Sequence, residues 1–233
     1  MPVPAPAALG ELLSLQLPPA TLVDWRYDVV TAGKHLLCSS YVGAVDSGGY
    51  ARVTGIVWGP VARFSNYGGD LGGVALGTTS EAIGDLSAGS NTLTLFSSLP
   101  SPAPATARLV PLAPATALGV GSSGSGSIAP CERRYYAFAA VAGQAYTVKV
   151  TAEFVGSVRV RKVPPNGDTT IRTDPPFSVN NVGGTPLALA AGVERVVTFT
   201  IPSDAAHGSG TYIVEVDADL DGAGSYSLSL ASP

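Results

Sequence analysis

The stretch Thr211-Tyr212-Ile213-Val214-Glu215-Val216-Asp217, followed by Ala218-Asp219-Leu220-Asp221-Gly222 and then Ser225-Tyr226-Ser227-Leu228-Ser229-Leu230, decides the fold class. In its first part Tyr212, Val214 and Val216 share one side, while Ile213, Glu215 and Asp217 share the other. In its last part Tyr226, Leu228 and Leu230 alternate strictly with three serines. A period of two, with one apolar and one polar face, predicts antiparallel strands packed on a core, here joined as a closing hairpin. The acidic turn between them reads either as a plain hairpin loop or as a cation site.

The same signature continues upstream. Tyr135 to Ala139, Tyr146 to Ala152, Ser157 to Val163 and Glu194 to Ile201 are short alternating segments bounded by Gly, Pro and Asn turns. Six such strands over 128–233 predict a jelly-roll-like antiparallel β-sandwich. Arg159 and Arg161, alternating with Val158 and Val160, read as the solvated face of one strand. Before this domain, residues 100–127 pass from Pro/Ala to Gly/Ser composition and read as a linker, stiff and then flexible. Residues 21–99 hold Leu22 to Val30, Lys34 to Val42, Tyr50 to Trp58, Arg63 to Tyr67, Leu71 to Leu76 and Asn91 to Phe96, a second β domain with its clearest hairpin turn at Asp46 to Gly49. Residues 1–20 read as an extended proline-rich arm, with Leu13, Leu15 and Leu17 alternating as a strand at its end. The fold class expected is therefore all-β, in two β domains.

Composition agrees and narrows the function classes. Of 233 residues 45% are hydrophobic and 13% charged, with 28 Gly and 19 Pro, which describes a turn-rich globular protein. The net charge of -4, with scattered basic residues, gives no reason to expect a nucleic-acid partner. No apolar run is long enough for a membrane span, so no membrane partner is expected. The N-terminus, with no Lys or Arg before Arg26, lacks the pattern of a secretory signal, so export by the usual route is not expected. Cys38 and Cys131 fall in different halves; they allow one bridge but indicate no disulfide scaffold. They and the two isolated histidines, His35 and His207, build no zinc site.

The segments Tyr135-Tyr136-Ala137-Phe138, Ala142-Gly143-Gln144-Ala145-Tyr146-Thr147-Val148-Lys149-Val150, Gly210 to Val216 and Gly224 to Leu230 resemble the bacterial pre-peptidase C-terminal domain. The resemblance covers residues 128–233 and none of the first half. It implies a non-catalytic jelly-roll-like module that accompanies extracellular hydrolases and binds calcium or helps attachment to surfaces.

Two sets of residues are candidate sites. Asp217, Asp219 and Asp221, at alternate positions before Gly222, match the first half of a calcium loop, although Leu228 stands where an EF-hand needs its bidentate glutamate. Trp25, Tyr27 and Trp58, among the aromatics gathered in the first half, offer either an exposed contact patch for a glycan or a protein, or core packing. No nucleophile, base and acid motif is present, so catalytic residues are not expected. The reading reached is a non-enzymatic structural or attachment protein: a bacteriophage virion component, either capsid decoration or tail-associated, whose partners are other structural proteins of an assembly and copies of itself. The alternative is an accessory calcium- or glycan-binding module of a secreted bacterial hydrolase, outside the cell and facing a cell-surface glycan.

Overall fold

A computed structural model describes residues 7–18, 22–41, 53–58, 63–67, 78–97, 102–163, 187–204, 208–218 and 222–232. No helix occurs among them, and the chain divides into two compact units, Met1–Leu112 and Ala113–Pro233. The fold is all-β, and each unit is a pair of sheets.

The first unit holds β1 (Leu13–Leu17), β2 (Leu22–Val29), β3 (Gly33–Tyr41), β4 (Val53–Trp58), β5 (Arg63–Tyr67), β6 (Thr78–Leu86), β7 (Gly89–Ser97) and β8 (Ala103–Pro111). Its sheets run β1-β8-β3-β6 and β2-β7-β4-β5, and each of these pairings is antiparallel. The second unit holds β9 (Thr116–Ala117), β10 (Ser123–Ile128), β11 (Arg133–Ala140), β12 (Ala145–Ala152), β13 (Gly156–Lys162), β14 (Leu187–Leu189), β15 (Glu194–Thr200), β16 (Gly210–Ala218) and β17 (Gly224–Ala231). Its sheets run β10-β17-β12-β15 and β14-β13-β16-β11-β9.

Counted from β1 in the first unit and from β10 in the second, both units read first-eighth-third-sixth in one sheet and second-seventh-fourth-fifth in the other. That is the eight-stranded jelly roll, occurring twice in one chain. The correspondence reaches single residues. Ala7 N–H bonds Arg26 O and Leu118 N–H bonds Ala137 O, each at 2.8 Å, ahead of the first strand of its unit. Gly10 and Gly121 follow with φ of 83° and 85°, in the left-handed region that glycine tolerates. Tyr27 matches Phe138, Leu37 matches Val148, Leu93 matches Val214 and Leu109 matches Leu230, all buried. Asn91 Nδ2 donates to Ser87 O at 3.1 Å, and Tyr212 Oη donates to Gly208 O at 2.9 Å, so each tethers the turn that enters the seventh strand.

The core of the second unit shows why its strands form. In β12, Tyr146, Val148, Val150 and Ala152 are buried while the residues between them are partly or fully exposed, and β17 repeats this with Tyr226, Leu228 and Leu230. Rings meet between the sheets and within one: Phe138 lies 5.6 Å from Tyr146 of the facing sheet and 6.0 Å from Tyr212, its neighbour in its own sheet, centroid to centroid. Each large apolar side chain so buried contributes about 1.5–3 kcal/mol.

Several expectations are corrected. Residues 100–127 are not a linker, because β8, β9 and β10 lie there and the division falls between Leu112 and Ala113. Within the expected arm, Ala7 bridges Tyr27 and the strand expected at Leu13 to Leu17 is β1, paired with β8. The strands β16 and β17 do not form a hairpin, since they belong to different sheets. The hairpin expected around Asp46 to Gly49 lies outside the described residues, but the strands flanking it, β3 and β4, also belong to different sheets. The strand expected at Leu71 to Leu76 lies outside them as well.

Cys38 in β3 and Cys131 in the turn before β11 are both fully buried and both disulfide-bonded.

Candidate functional site

The strand β16 is buried on both faces, from Tyr212 to Ala218. Ile213, Glu215 and Asp217 therefore do not form the wet face that alternation predicts. Register explains their surroundings. Asp217 lies between Arg133 of β11 and Ser157 of β13, Glu215 lies between Tyr135 and Arg159, and Ile213 lies between Ala137 and Arg161. Neighbours across antiparallel strands share a face, so three basic and two acidic side chains of one sheet face are gathered in adjacent rows.

Arg133 and Glu215 are each 1% exposed, and Arg161 is 5% exposed. Glu215 Oε1 lies 3.6 Å from Arg133 Nη1 and 3.8 Å from Arg159 Nη1, while its Oε2 lies 3.4 Å from Arg161 Nε. Asp217 Oδ1 lies 3.3 Å from Arg133 Nε. Among these described side chains three guanidinium groups face two carboxylates. Burying charge is tolerated only where partners replace water, and here Glu215 is the hub on which three arginines converge. The Tyr135 hydroxyl sits in the same cluster. Its pKa is raised, first by burial and then by the Glu215 carboxylate, against the opposing pull of Arg133 and Arg161.

Arg159 and Arg161 are thus not a solvated stripe. Alternation looks the same whether a polar face meets water or a complementary charge. The missed signal lay in three separated patterns, Arg-x-Tyr at 133–135, Arg-x-Arg at 159–161 and Glu-x-Asp at 215–217, which match only when laid side by side in register.

The turn leading into β11 adds a second unusual feature. Ala129, Pro130, Cys131 and Glu132 close a turn, with Glu132 N–H bonded to Ala129 O at 3.0 Å and the Glu132 carboxylate accepting from Ala129 N–H. Proline at the second position and φ of 62° at Cys131 in the third follow the type II pattern, whose third position normally takes glycine. A cysteine held there costs on the order of 1–3 kcal/mol of backbone strain.

The sequence-derived site residues are placed as follows. Asp217 ends the charged face with its carboxylate against Arg133, so a cation there would have to displace a guanidinium. Asp219 and Asp221 lie outside the described residues. Among the described residues no three or more His, Cys, Asp or Glu side chains cluster as a metal site. Tyr27 is fully buried, with its pKa raised by burial and then by Glu11. Trp25 falls in the row of Leu93 and Val57, and Trp58 in the row of Thr92 and Arg26, one residue out of step. Rows one residue apart belong to opposite faces of a sheet. With Tyr27 buried, the three aromatics do not together make one exposed patch.

No protein-family model matches the chain, and no curated protein does. Among solved structures, it is similar to the CUB1-EGF-CUB2 domain of human MASP-1/3, at 10% identity over 94% of this chain and 99% of that one, with a TM-score of 0.25. It is similar to the PBSX exported protein XepA at 11% identity, over 95% of this chain and 86% of that one, with a TM-score of 0.28. It is also similar to carbohydrate-binding modules of the β-sandwich superfamily at 10% identity, over 94% and 98% of the two chains, with a TM-score of 0.31. At such scores the architecture rests on the chain's own sheets and registers, and those make it a tandem of two jelly-roll sandwiches.

Proposed function

We propose that the chain is a non-enzymatic structural and attachment protein, a bacteriophage virion component of the capsid-decoration or tail-associated kind. The observation that carries this reading is the duplicated jelly roll, with the charged groups of its most polar buried face spent on one another in ion pairs. Jelly rolls recur in capsid and lectin domains, so the step from architecture to role is one of analogy. The charge of -4 and the scattered basic residues point to protein surfaces as partners. The test is the protein composition of purified particles. The chain should be present in a fixed copy number per particle and should withstand a salt wash; recovery only from the particle-free medium would overturn the assignment.

One observation favours the second reading, an accessory calcium- or glycan-binding module of a secreted hydrolase. Both cysteines are disulfide-bonded, a state that persists outside the reducing cytosol, on secreted proteins and on virion surfaces alike. The resemblance of residues 128–233 to the pre-peptidase C-terminal domain points the same way. Calcium bound to Asp219 and Asp221 would raise the melting midpoint over that in chelator, because a ligand of the folded state alone must stabilise it. A midpoint indifferent to chelator, and unchanged in Asp219→Ala, would remove the metal.

A further inference from the structure

We propose that the outer edge of β10 is a self-pairing surface through which two copies of the chain join their sheets. The strand ends its sheet, paired only with β17 among the described strands. Exposed sheet edges are normally guarded by lysine, proline or a bulge that blocks a further strand. Ser123-Gly124-Ser125-Gly126-Ser127 has no charge and no proline, and its six-residue register with β17 is uninterrupted.

The ladder shows which groups face outward. Gly121 N–H bonds Leu230 O at 2.7 Å, and Leu230 N–H bonds Ser122 O at 3.1 Å, so Leu230 is a hydrogen-bonded position. Such positions alternate along an antiparallel pair, so Leu228 and Tyr226 are the next two, opposite Gly124 and Gly126. Ser123, Ser125 and Ser127 then turn their N–H and C=O groups away from β17. Arg134 Nη2, reaching Ser127 O at 3.4 Å from outside the sheet, agrees with that orientation, and its guanidinium has to leave this oxygen when a second strand adds there. All three serine side chains are exposed, while Gly124 and Gly126 lie over tyrosine rings and leave nothing protruding from the inward face.

The occupant is argued from the strand itself. The five residues are a palindrome about Ser125, so a twofold axis through Ser125 pairs Ser123 with the partner's Ser127 and Gly124 with the partner's Gly126. Serine opposite serine is the pairing that β10 already makes with β17, at Ser123–Ser229, Ser125–Ser227 and Ser127–Ser225. An isologous contact of this kind closes on itself as a dimer and yields one continuous eight-stranded sheet. It requires neither of the two functional readings.

A contact this short is smaller than a standard interface and should be concentration-dependent. Sedimentation equilibrium of the full chain over a concentration series should show monomer passing to dimer. Ser125→Pro removes an outward N–H without touching the bonds to β17 and should weaken the dimer at least tenfold. Ser125→Lys sets two like charges on the axis and should weaken it at low salt, with partial recovery at high salt. The lysine variant decides the matter if the proline variant misfolds. A chain that stays monomeric at every concentration, or a dimer that survives Ser125→Lys at low salt unchanged, would overturn the proposal.

Discussion

Glu215 sits 1% exposed among three arginines, and removing its charge while keeping its shape would leave their guanidinium groups buried without their common counter-ion. Glu215→Gln is therefore expected to cost about 3–5 kcal/mol, read from urea unfolding, the range for breaking rather than replacing a buried ion pair. A change below about 1 kcal/mol would show that other groups carry the cluster. Buried tyrosines give a second expectation. Tyr27, Tyr135 and Tyr226 are each raised from the ordinary 10.0, first by burial, and then by Glu11, by Glu215 and by the Tyr136 hydrogen bond respectively. The unfolded chain loses these protons first. Stability is thus fully present below pH 10.0 and declines as pH rises above it, until the folded hydroxyls ionise as well. Tyrosinate absorbance should rise together with unfolding; a titration completed near pH 10.0 with the fold intact would refute this.

At the scale of elements, the strand β10 shows what sequence reading loses. A run of alternating glycine and serine has the composition of a flexible linker, yet its glycines have a packing reason. A Cβ on Gly124 would lie 2.9 Å from Tyr136 Cε1, and one on Gly126 would lie 3.0 Å from Tyr226 Oη. Those two hydroxyls share a buried hydrogen bond of 2.7 Å, so the tyrosine rings occupy the space that side chains of β10 would fill. Gly124→Ala should force the Tyr136 ring aside and cost about 1–3 kcal/mol in thermal or denaturant unfolding, as overpacking does; a neutral effect would show that the ring has room. The clean strands β11, β12, β13, β15 and β17 were legible because one face meets apolar core and the other does not. The strand β6 was not, since Thr78 to Leu86 mixes Glu81 and Asp85 with Ala82 and Ile83 and carries Gly84 mid-strand. The charged face was only half legible. Its residues stood out, but their partners lie tens of positions away, and the register that joins them is a property of the sheet.

At the scale of the whole molecule, the all-β class and the count of two domains were open to sequence reading, whereas the repetition was not. Core positions of a sandwich demand only bulk and apolarity, so Leu37 and Val148, or Leu93 and Val214, answer the same requirement with different letters. Asn91 and Tyr212 hold equivalent turns with unrelated chemistry. The two units share an architecture without sharing residues at these positions. A tandem of this kind also sets a folding hazard, because each first strand has two eighth strands of equivalent topology on which to settle, and adjacent alike domains are prone to such misassembly. The position held by Gly124 in the second unit is held by Leu13 in the first, each opposite the matching residue of its own eighth strand, Leu228 and Ala107. A leucine in the place of Gly124 would meet the Tyr136 ring, so β1 is expected to fit the place of β10 less well than β10 itself. The two bare glycines would thus serve as an address, favouring one strand over its twin.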